Sequence, residues 1–202
     1  DRNKNLNLKG VDMCPEELKL AKKLLINSRV NLIESKAQNL SAIDDNSIDI
    51  VLCHWALTLM DPIAPVLAEV KRVLNSKGQF AALVDGPMNT APGYKEVHDL
   101  IYSYVQEEIP SYGDIDLGDP RIRGSKSLND LANKTFPDAN VTIETNVVSL
   151  VGPVIQVAEI AAGFFYATFI LKPEKRKSMI TSLSNTCLLY TSDAADDTLW
   201  GV

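Results

Sequence analysis

The sequence predicts an α/β protein with a doubly wound, mostly parallel sheet and helices on both faces of that sheet. Two observations support this fold class. Segments typical of strands alternate with amphipathic helical segments over the first 86 residues, and such alternation is typical of parallel sheets. In addition, residues 48–53 form an almost continuous apolar run, as expected of a strand that is buried on both faces.

The first elements are two short strands that flank a helix. Residues 8–11 form a short apolar run, which predicts a strand. From Pro15 to about residue 27, apolar residues recur at helical spacing with lysines between them, which predicts an amphipathic helix. Pro15 suits the first helical position because its missing N–H would be unpaired there. Residues 30–34 predict the second strand.

A third strand, a second helix and a fourth strand follow. Residues 48–53 are the third strand, and the pair Asp61-Pro62 supplies a cap and a proline that open the next helix. The polar residues 75–78 close this helix, and residues 80–84 predict the fourth strand.

The composition changes after Gly86-Pro87. The polar residues 114–126 form a loop that is long enough for a lid or a substrate loop. The remaining predicted elements are a helix over 94–105, a helix from a capping box of Ser127 and Asp130 to Lys134, a strand over 141–150, and helices over 153–171 and 173–183.

Composition and charge exclude several kinds of partner. The chain has 202 residues and a formal net charge of −6, without a basic stripe interleaved with aromatic residues, so we expect no nucleic-acid partner. Cys14, Cys53 and Cys187 lie far apart and lack zinc-site spacing, which predicts reduced thiols, a cytoplasmic location and no metal. Residues 147–171 are nearly all apolar, but a Gly-Pro pair and an acid interrupt them, so we expect no membrane span.

The turn after the first strand places an acid at the strand's carboxyl end. Asp12 follows the apolar run directly and the helix begins at Pro15, so Asp12 lies on a strand-to-helix turn. In open α/β sheets such turns face the ligand crevice, where an acid can accept both hydroxyls of a ribose. A solvated loop aspartate is the alternative interpretation.

Three blocks of sequence together resemble one enzyme family. They are GVDMCPEE from residue 10, AQNL from residue 37 with DNSIDIV from residue 45, and EVKRVL from residue 69 with KGQF from residue 77. In order and spacing they resemble a class I S-adenosylmethionine-dependent methyltransferase with a methyltransferase type 11-like domain. The resemblance covers residues 8–86 as the cofactor-binding part and residues 87–186 as a substrate-side and C-terminal part. It implies a Rossmann-like fold, S-adenosyl-L-methionine as cofactor and a small-molecule methyl acceptor.

The resemblance assigns the nucleoside end of the cofactor to two turns. Asp12 would accept the ribose hydroxyls and Met13 would pack on the adenine, although Met13 could also be plain core. Ala37 and Gln38 would contact the adenine edge, largely through backbone groups. The family usually has an acid before this pair, but this chain has Lys36, which cannot accept a hydrogen bond.

The resemblance places the methyl-transfer point after the third strand. Cys53, His54 and Trp55 would border the methionine part of the cofactor, and His54 is the candidate general base. The alternatives are that His54 is a hydrogen-bonded scaffold residue and that Trp55 covers the core. Arg121 and Arg123 could bind an anionic acceptor, or they belong to a solvated loop.

The family's glycine-rich loop follows a strand that precedes the strand at residue 8, and this sequence begins too late to hold it. We therefore expect an N-terminally truncated domain over residues 1–186, with the sheet incomplete. The missing strand belongs between the strands at 8 and 48, so we expect either a gap there or two strands closing on each other. We also expect poor binding of S-adenosylhomocysteine.

The last sixteen residues differ in kind from the rest. CLLYTSDAADD from residue 187 resembles the translation of a transposase-type sequencing adapter, an artefact of metagenomic reads. Residues 187–202 are therefore expected to be an unstructured artefact.

Two other functions remain open at this stage. A nicotinamide-dependent oxidoreductase also ends its second strand in a ribose-binding acid, but it does not require the second and third blocks. A non-catalytic or degenerate nucleotide-binding module is the other alternative, because of Lys36 and the absent glycine loop.

Overall fold

The computed structural model describes residues 6–25, 30–89, 91–114 and 118–196, with the backbone alone from residue 187 onward. The chain divides into two compact units. The first contains residues 1–85 and 117–143, and the second contains residues 86–116 and 144–202. Residues 117–143 therefore belong with the N-terminal part, whereas the sequence analysis assigned all of 87–186 to one part.

Four strands and six helices are present in the described residues. The strands are β1 (Leu8–Asp12), β2 (Val30–Glu34), β3 (Ile48–His54) and β4 (Leu74–Leu83). The helices are α1 (Pro15–Leu24), α2 (Ile63–Val73), α3 (Tyr94–Gln106), α4 (Ser125–Thr135), α5 (Val154–Gly163) and α6 (Pro173–Asp196). Short 3₁₀ turns lie at Leu57–Leu59, Pro120–Ile122 and Tyr166–Phe169.

All strands of the first unit pair in parallel, which confirms the predicted α/β class. In one pair, Leu8 of β1 lies opposite Val30 of β2 and Asp12 lies opposite Glu34. In the other pair, the register shifts between Ile48 and Ile50 and then runs evenly from Ile50 opposite Gln79 to His54 opposite Leu83. The carboxyl ends of paired strands are therefore level with each other, and this is where the predicted site residues lie.

The two pairs of strands form separate two-stranded sheets, β1 with β2 and β3 with β4. Among the described residues, β1 and β3 share no ladder of hydrogen bonds. The sequence predicts either a gap between these two strands or their closure on each other, and the structure has the gap. The pairs are joined instead through side chains, because Val11, Ile33, Ile48 and Val51 all pack against one buried cluster.

Helix α2 supplies more of the buried apolar residues of the first unit than any other element. Its apolar stripe is buried throughout, and Ile63 and Val73 are 0% and 1% exposed. The stripe recurs every three to four residues, so one face of the helix meets the strands and the other carries charge. In the second unit, α3, α5, α6 and the turn Tyr166–Phe169 pack around Ile101, Met179 and Leu183.

Several predicted elements differ in the structure. Residues 141–150 form no strand, because their alternating pattern has no neighbouring strand to pair with among the described residues. The predicted helix over 153–171 ends at Gly163, and β4 begins at Leu74 and includes residues 75–78, where a polar turn was predicted. The capping box does not form, since the cap position is Gly124 and the Ser127 hydroxyl donates to the carbonyls of Arg121 and Gly124.

The expectation for the C-terminal tail is wrong for residues 187–196. Helix α6 runs from Pro173 to Asp196, although no regular structure was expected after residue 186. Residues 187–196 contain neither glycine nor proline and include two leucines and two alanines, which favour a helix once one has started. Residues 197–202 lie outside the described residues.

Candidate active site

The turn after β1 is built around the Asp12 carboxylate. One carboxylate oxygen, Oδ1, accepts a hydrogen bond from the Cys14 backbone N–H at 2.8 Å. This bond fixes the side chain just before α1, whose first turn begins with Pro15. Asp12 is exposed, and the neighbouring Met13 is 64% exposed, so Met13 is not core. Both side chains are thus available to a ligand at the end of β1.

The loop after β2 lies next to this turn. The Ser35 backbone N–H donates to the carbonyl of Asp12 at 3.0 Å, and the loop then closes on itself through a bond from the Asn39 N–H to the Lys36 carbonyl at 2.9 Å. Ala37 and Gln38 lie at the centre of this loop and are half-buried, while Lys36 is exposed. The first two segments of the predicted site are therefore in direct contact through their backbones.

Helix α2 holds the same loop from the other side through Glu69 and Arg72. The Arg72 guanidinium donates to the Leu40 carbonyl through Nη2 at 2.9 Å and to the Ile43 carbonyl through Nη1 at 2.9 Å. The Glu69 carboxylate accepts the Leu40 N–H at 2.5 Å and also accepts from Arg72 Nε at 2.8 Å. Hydrogen bonding to Arg72 lowers the pKa of Glu69. The backbone N–H and the carbonyl of Leu40 are thus both held by the ion pair of Glu69 and Arg72.

The end of β3 carries Cys53, His54 and Trp55. Cys53 is half-buried against the cluster of Leu57, Ile63, Val66, Leu67, Ile122 and Leu131, and Ala37 packs against the same cluster. Burial raises the pKa of the Cys53 thiol. The second and third predicted segments therefore share one core.

Trp55 adopts a backbone conformation that is rare for a bulky residue. Its φ is 54°, in the left-handed region, and its N–H donates to the Leu83 carbonyl at 2.9 Å. Such strained residues concentrate at functional sites, where the surrounding structure over-determines them. The Trp55 ring lies 4.9 Å from the exposed His54 ring. The strain thus directs two aromatic groups to one strand end.

The second arginine of the predicted substrate loop reaches this strand end. Arg123 Nη2 donates to the Thr58 carbonyl at 3.4 Å, and the Thr58 hydroxyl donates to the Trp55 carbonyl at 3.0 Å. The half-buried Asp85 lies two residues beyond β4, and burial raises its pKa while the charge of Arg123 opposes that shift. Sequence reasoning missed Asp85, although the rule that identified Asp12, an acid just past a parallel strand, applies to it as well.

The first arginine of that loop is engaged locally. Arg121 donates through Nε and Nη2 to the two carboxylate oxygens of Asp119 at 2.9 and 2.6 Å. This pairing lowers the pKa of Asp119, which is 8% exposed. Because two N–H groups of the Arg121 guanidinium already bind the Asp119 carboxylate, the positive charge of Arg121 is largely neutralised by Asp119.

A metal-binding cluster and a membrane-spanning helix are both absent from the described residues. No group of histidine, cysteine and acidic side chains within residues 6–25, 30–89, 91–114 and 118–186 has the arrangement to hold a metal ion. Over the described part of the chain, no helix combines the length and apolar character needed to cross a membrane.

Comparison with known proteins gives one family match. Residues 2–82 match the family described as methyltransferase domain. This range contains β1 to β4, apart from the last residue of β4, and holds all the predicted cofactor contacts. No curated protein matches the chain in sequence.

Three solved structures are similar to the chain. The YcgJ protein from Bacillus subtilis is 19% identical with a TM-score of 0.46, covering 63% of this chain and 50% of its own. A candidate S-adenosyl-L-methionine-dependent methyltransferase from Methanococcus maripaludis is 18% identical with a TM-score of 0.42, covering 65% and 57%. A candidate sarcosine dimethylglycine methyltransferase from Galdieria sulphuraria is 17% identical with a TM-score of 0.48, covering 90% and 63%. The chain thus spans less than two thirds of the length of each of these structures.

Proposed function

We propose that this chain contains the cofactor-binding part of an enzyme that methylates a small molecule, because residues 2–82 match the methyltransferase domain family. S-adenosyl-L-methionine is the cofactor of this domain family. The observation that supports the proposal most is the convergence of three segments. The turn at Asp12, the loop at Ala37 and the strand end at Cys53 are linked by a backbone hydrogen bond and a shared buried cluster.

The residues at the strand ends fit the nucleoside half of this cofactor. Asp12 presents an exposed carboxylate that is oriented by its bond to Cys14, as a ribose diol requires. The exposed Met13 side chain next to it offers an apolar surface for a purine. Ala37 and Gln38 lie on a loop held by α2, so their backbone groups are set in place before any ligand arrives. Lys36 is not needed in this arrangement.

The chemistry requires alignment more than covalent catalysis. When bound, S-adenosylmethionine supplies a methyl carbon that is activated by the positive sulfur. The chain's own residues then orient the two reactants, and orientation can contribute on the order of 7–11 kcal/mol to a barrier. Trp55, held in its rare backbone conformation, lies at the end of β3 beside the proposed methyl-transfer point. His54, exposed beside it, is the candidate general base that would take a proton from an acceptor O–H or N–H.

The acceptor is proposed to lie near Arg123 and Asp85. Both belong to the first unit, and Asp85 is half-buried just past β4. Arg123 lies at this strand end through its bond to the Thr58 carbonyl, and its positive charge suits an anionic group on the acceptor. A small polar molecule with an acidic group therefore fits this end of the sheet.

Photochemical labelling tests the proposal in the chain as it exists. Ultraviolet irradiation with radiolabelled S-adenosylmethionine captures weak complexes, so it does not require tight binding. We expect labelling that S-adenosylhomocysteine suppresses and NAD⁺ does not. Asp12→Asn should reduce labelling about tenfold, since a hydrogen-bonded carboxylate is lost.

Asp130→Asn is the matched control because it makes the same change on the exposed face of α4. It should leave labelling unchanged. If NAD⁺ competes as well as S-adenosylhomocysteine, the oxidoreductase alternative replaces the proposal. If Asp12→Asn and Asp130→Asn are labelled equally, Asp12 has no role in binding.

A further inference from the structure

The second unit contains a cleft that the proposed function does not use. It has a volume of about 620 Å³ and lies between α5, the turn Tyr166–Phe169 and the start of α6. This volume is within the range of small-molecule sites, about 300–1,000 Å³. Its lining includes Ile155, Glu159, Phe169, Arg176 and Ile180. The cleft therefore combines apolar walls with a few charged groups, as ligand sites usually do.

Arg176 lines this cleft and carries an N–H group that has no hydrogen-bond partner. Its Nε atom is buried and has no hydrogen-bond partner, and it is the only side-chain atom of this kind in the part of the chain that the structure describes. The guanidinium carbon lies 5.5 Å from the centre of the Phe169 ring, which holds the group over an aromatic face. A buried donor without an acceptor is costly, so such an atom points to a missing acceptor.

The other polar groups of the lining do not provide a hydrogen-bond acceptor for Arg176 Nε. The Thr168 hydroxyl donates within its own turn, to the carbonyls of Ala162 and Phe165 at 3.0 and 2.9 Å. Arg176 and Lys177 together outnumber Glu159, so the lining has a net positive charge. An anion is therefore the acceptor that the cleft favours.

The apolar walls show what the rest of the ligand should be. Phe169 is 63% exposed and Ile155 is 49% exposed, although both face the cleft. An apolar body laid across these side chains would remove their surface from water, at roughly 25 cal/mol per Å² buried. A hydrated inorganic anion would pair with Arg176 but would leave the apolar side chains of Phe169 and Ile155 exposed to water.

We propose that this cleft binds an amphipathic carboxylate, a molecule with one anionic head and an apolar body. The carboxylate pairs with the Arg176 guanidinium, and the body lies against Ile155, Phe169 and Ile180. This inference does not depend on the proposed methyl transfer, because every residue it uses belongs to the second unit.

Binding of decanoate to the full chain, compared with binding of decanol, tests this proposal. The two probes share one apolar chain and differ in the anionic head. In isothermal calorimetry, with both ligands kept within the aqueous solubility of decanol, we expect decanoate to bind at least tenfold more tightly than decanol. Arg176→Gln should weaken decanoate about tenfold and change decanol less than twofold, since a charge-assisted hydrogen bond is lost.

Two further variants keep the test decisive. Lys172→Gln removes the same charge from an exposed residue that does not line the cleft, and it should bind decanoate like the unmodified chain. Ile155→Asp places an acid on the apolar wall at a half-exposed position that tolerates substitution, and it should weaken decanoate even if Arg176→Gln fails to fold. The proposal is overturned if decanoate and decanol bind equally, if neither binds, or if Arg176→Gln and Lys172→Gln behave alike.

Discussion

Replacing Gly118 by alanine tests whether the segment that carries Arg123 is docked on the turn after Trp55. Gly118 has a φ of +77°, and an added Cβ would lie 2.0 Å from the Thr58 carbonyl oxygen and 2.7 Å from its carbon. These are backbone atoms, so no side-chain rotation relieves the clash. A left-handed conformation costs an L-residue about 1–2 kcal/mol, and overpacking costs about 1–3 kcal/mol more. We therefore expect a loss of about 2–5 kcal/mol in the free energy of unfolding.

Urea unfolding followed by circular dichroism measures this loss, and hydrogen exchange with mass spectrometry locates it. Exchange should quicken in residues 55–60 and 118–124, where the contact is broken. Gly163→Ala is the matched control, because an added Cβ there meets nothing within 4 Å and the glycine ends a helix. It should be neutral or stabilising by up to about 1 kcal/mol. Equal stability of the two variants would refute the docking of residues 118–123 on the Thr58 turn.

Three further predictions concern stability and reactivity. Asp119→Asn should lower stability at pH 7 and flatten the thermal pH profile below about pH 4, because a carboxylate with a lowered pKa contributes stability that is lost as pH falls through that pKa. Ile63→Ala should cost about 2–5 kcal/mol in urea unfolding, since Ile63 is 0% exposed, whereas Ile155→Ala at a half-exposed site should cost less than about 1 kcal/mol. Iodoacetamide at pH 7 should modify Cys53 at least about tenfold more slowly in the folded chain than in urea, because burial raises its pKa; equal rates would show that the thiol is accessible.

The strands and helices up to residue 86 could be predicted because their signals are local. Pro15 begins α1 in the structure, and the acid that ends β1 is the predicted Asp12. The strand predicted over 141–150 was wrong for a physical reason. Alternation of apolar and polar residues indicates a face to bury, but a strand also needs a partner strand, and no local pattern shows whether one is present.

The candidate site was predictable only in part. Asp12 could be selected as a candidate because it is an acid just past a parallel strand, whereas Ala37 and Cys53 became candidates only through the resemblance of the three sequence blocks to a family. The role of Arg72 could not be predicted from the sequence. Its hydrogen bonds join a helix to the carbonyls of residues 40 and 43, which lie 32 and 29 positions away in sequence. Arg121 and Arg123 bind different partners because of how their loop folds: Arg121 pairs with Asp119, and Arg123 donates to the Thr58 carbonyl. The sequence alone does not distinguish the two arginines.

A titration of the isotopically labelled chain with S-adenosylhomocysteine, followed by NMR, tests the central claim most directly. We predict that the backbone amide signals of Met13, Gln38, His54 and Trp55 shift together, with a dissociation constant above about 100 μM because the sheet is open between β1 and β3. NAD⁺ should leave these signals in place. Shifts confined to other residues, or none at all, would contradict the cofactor site, and a low-micromolar dissociation constant would contradict the effect of the open sheet.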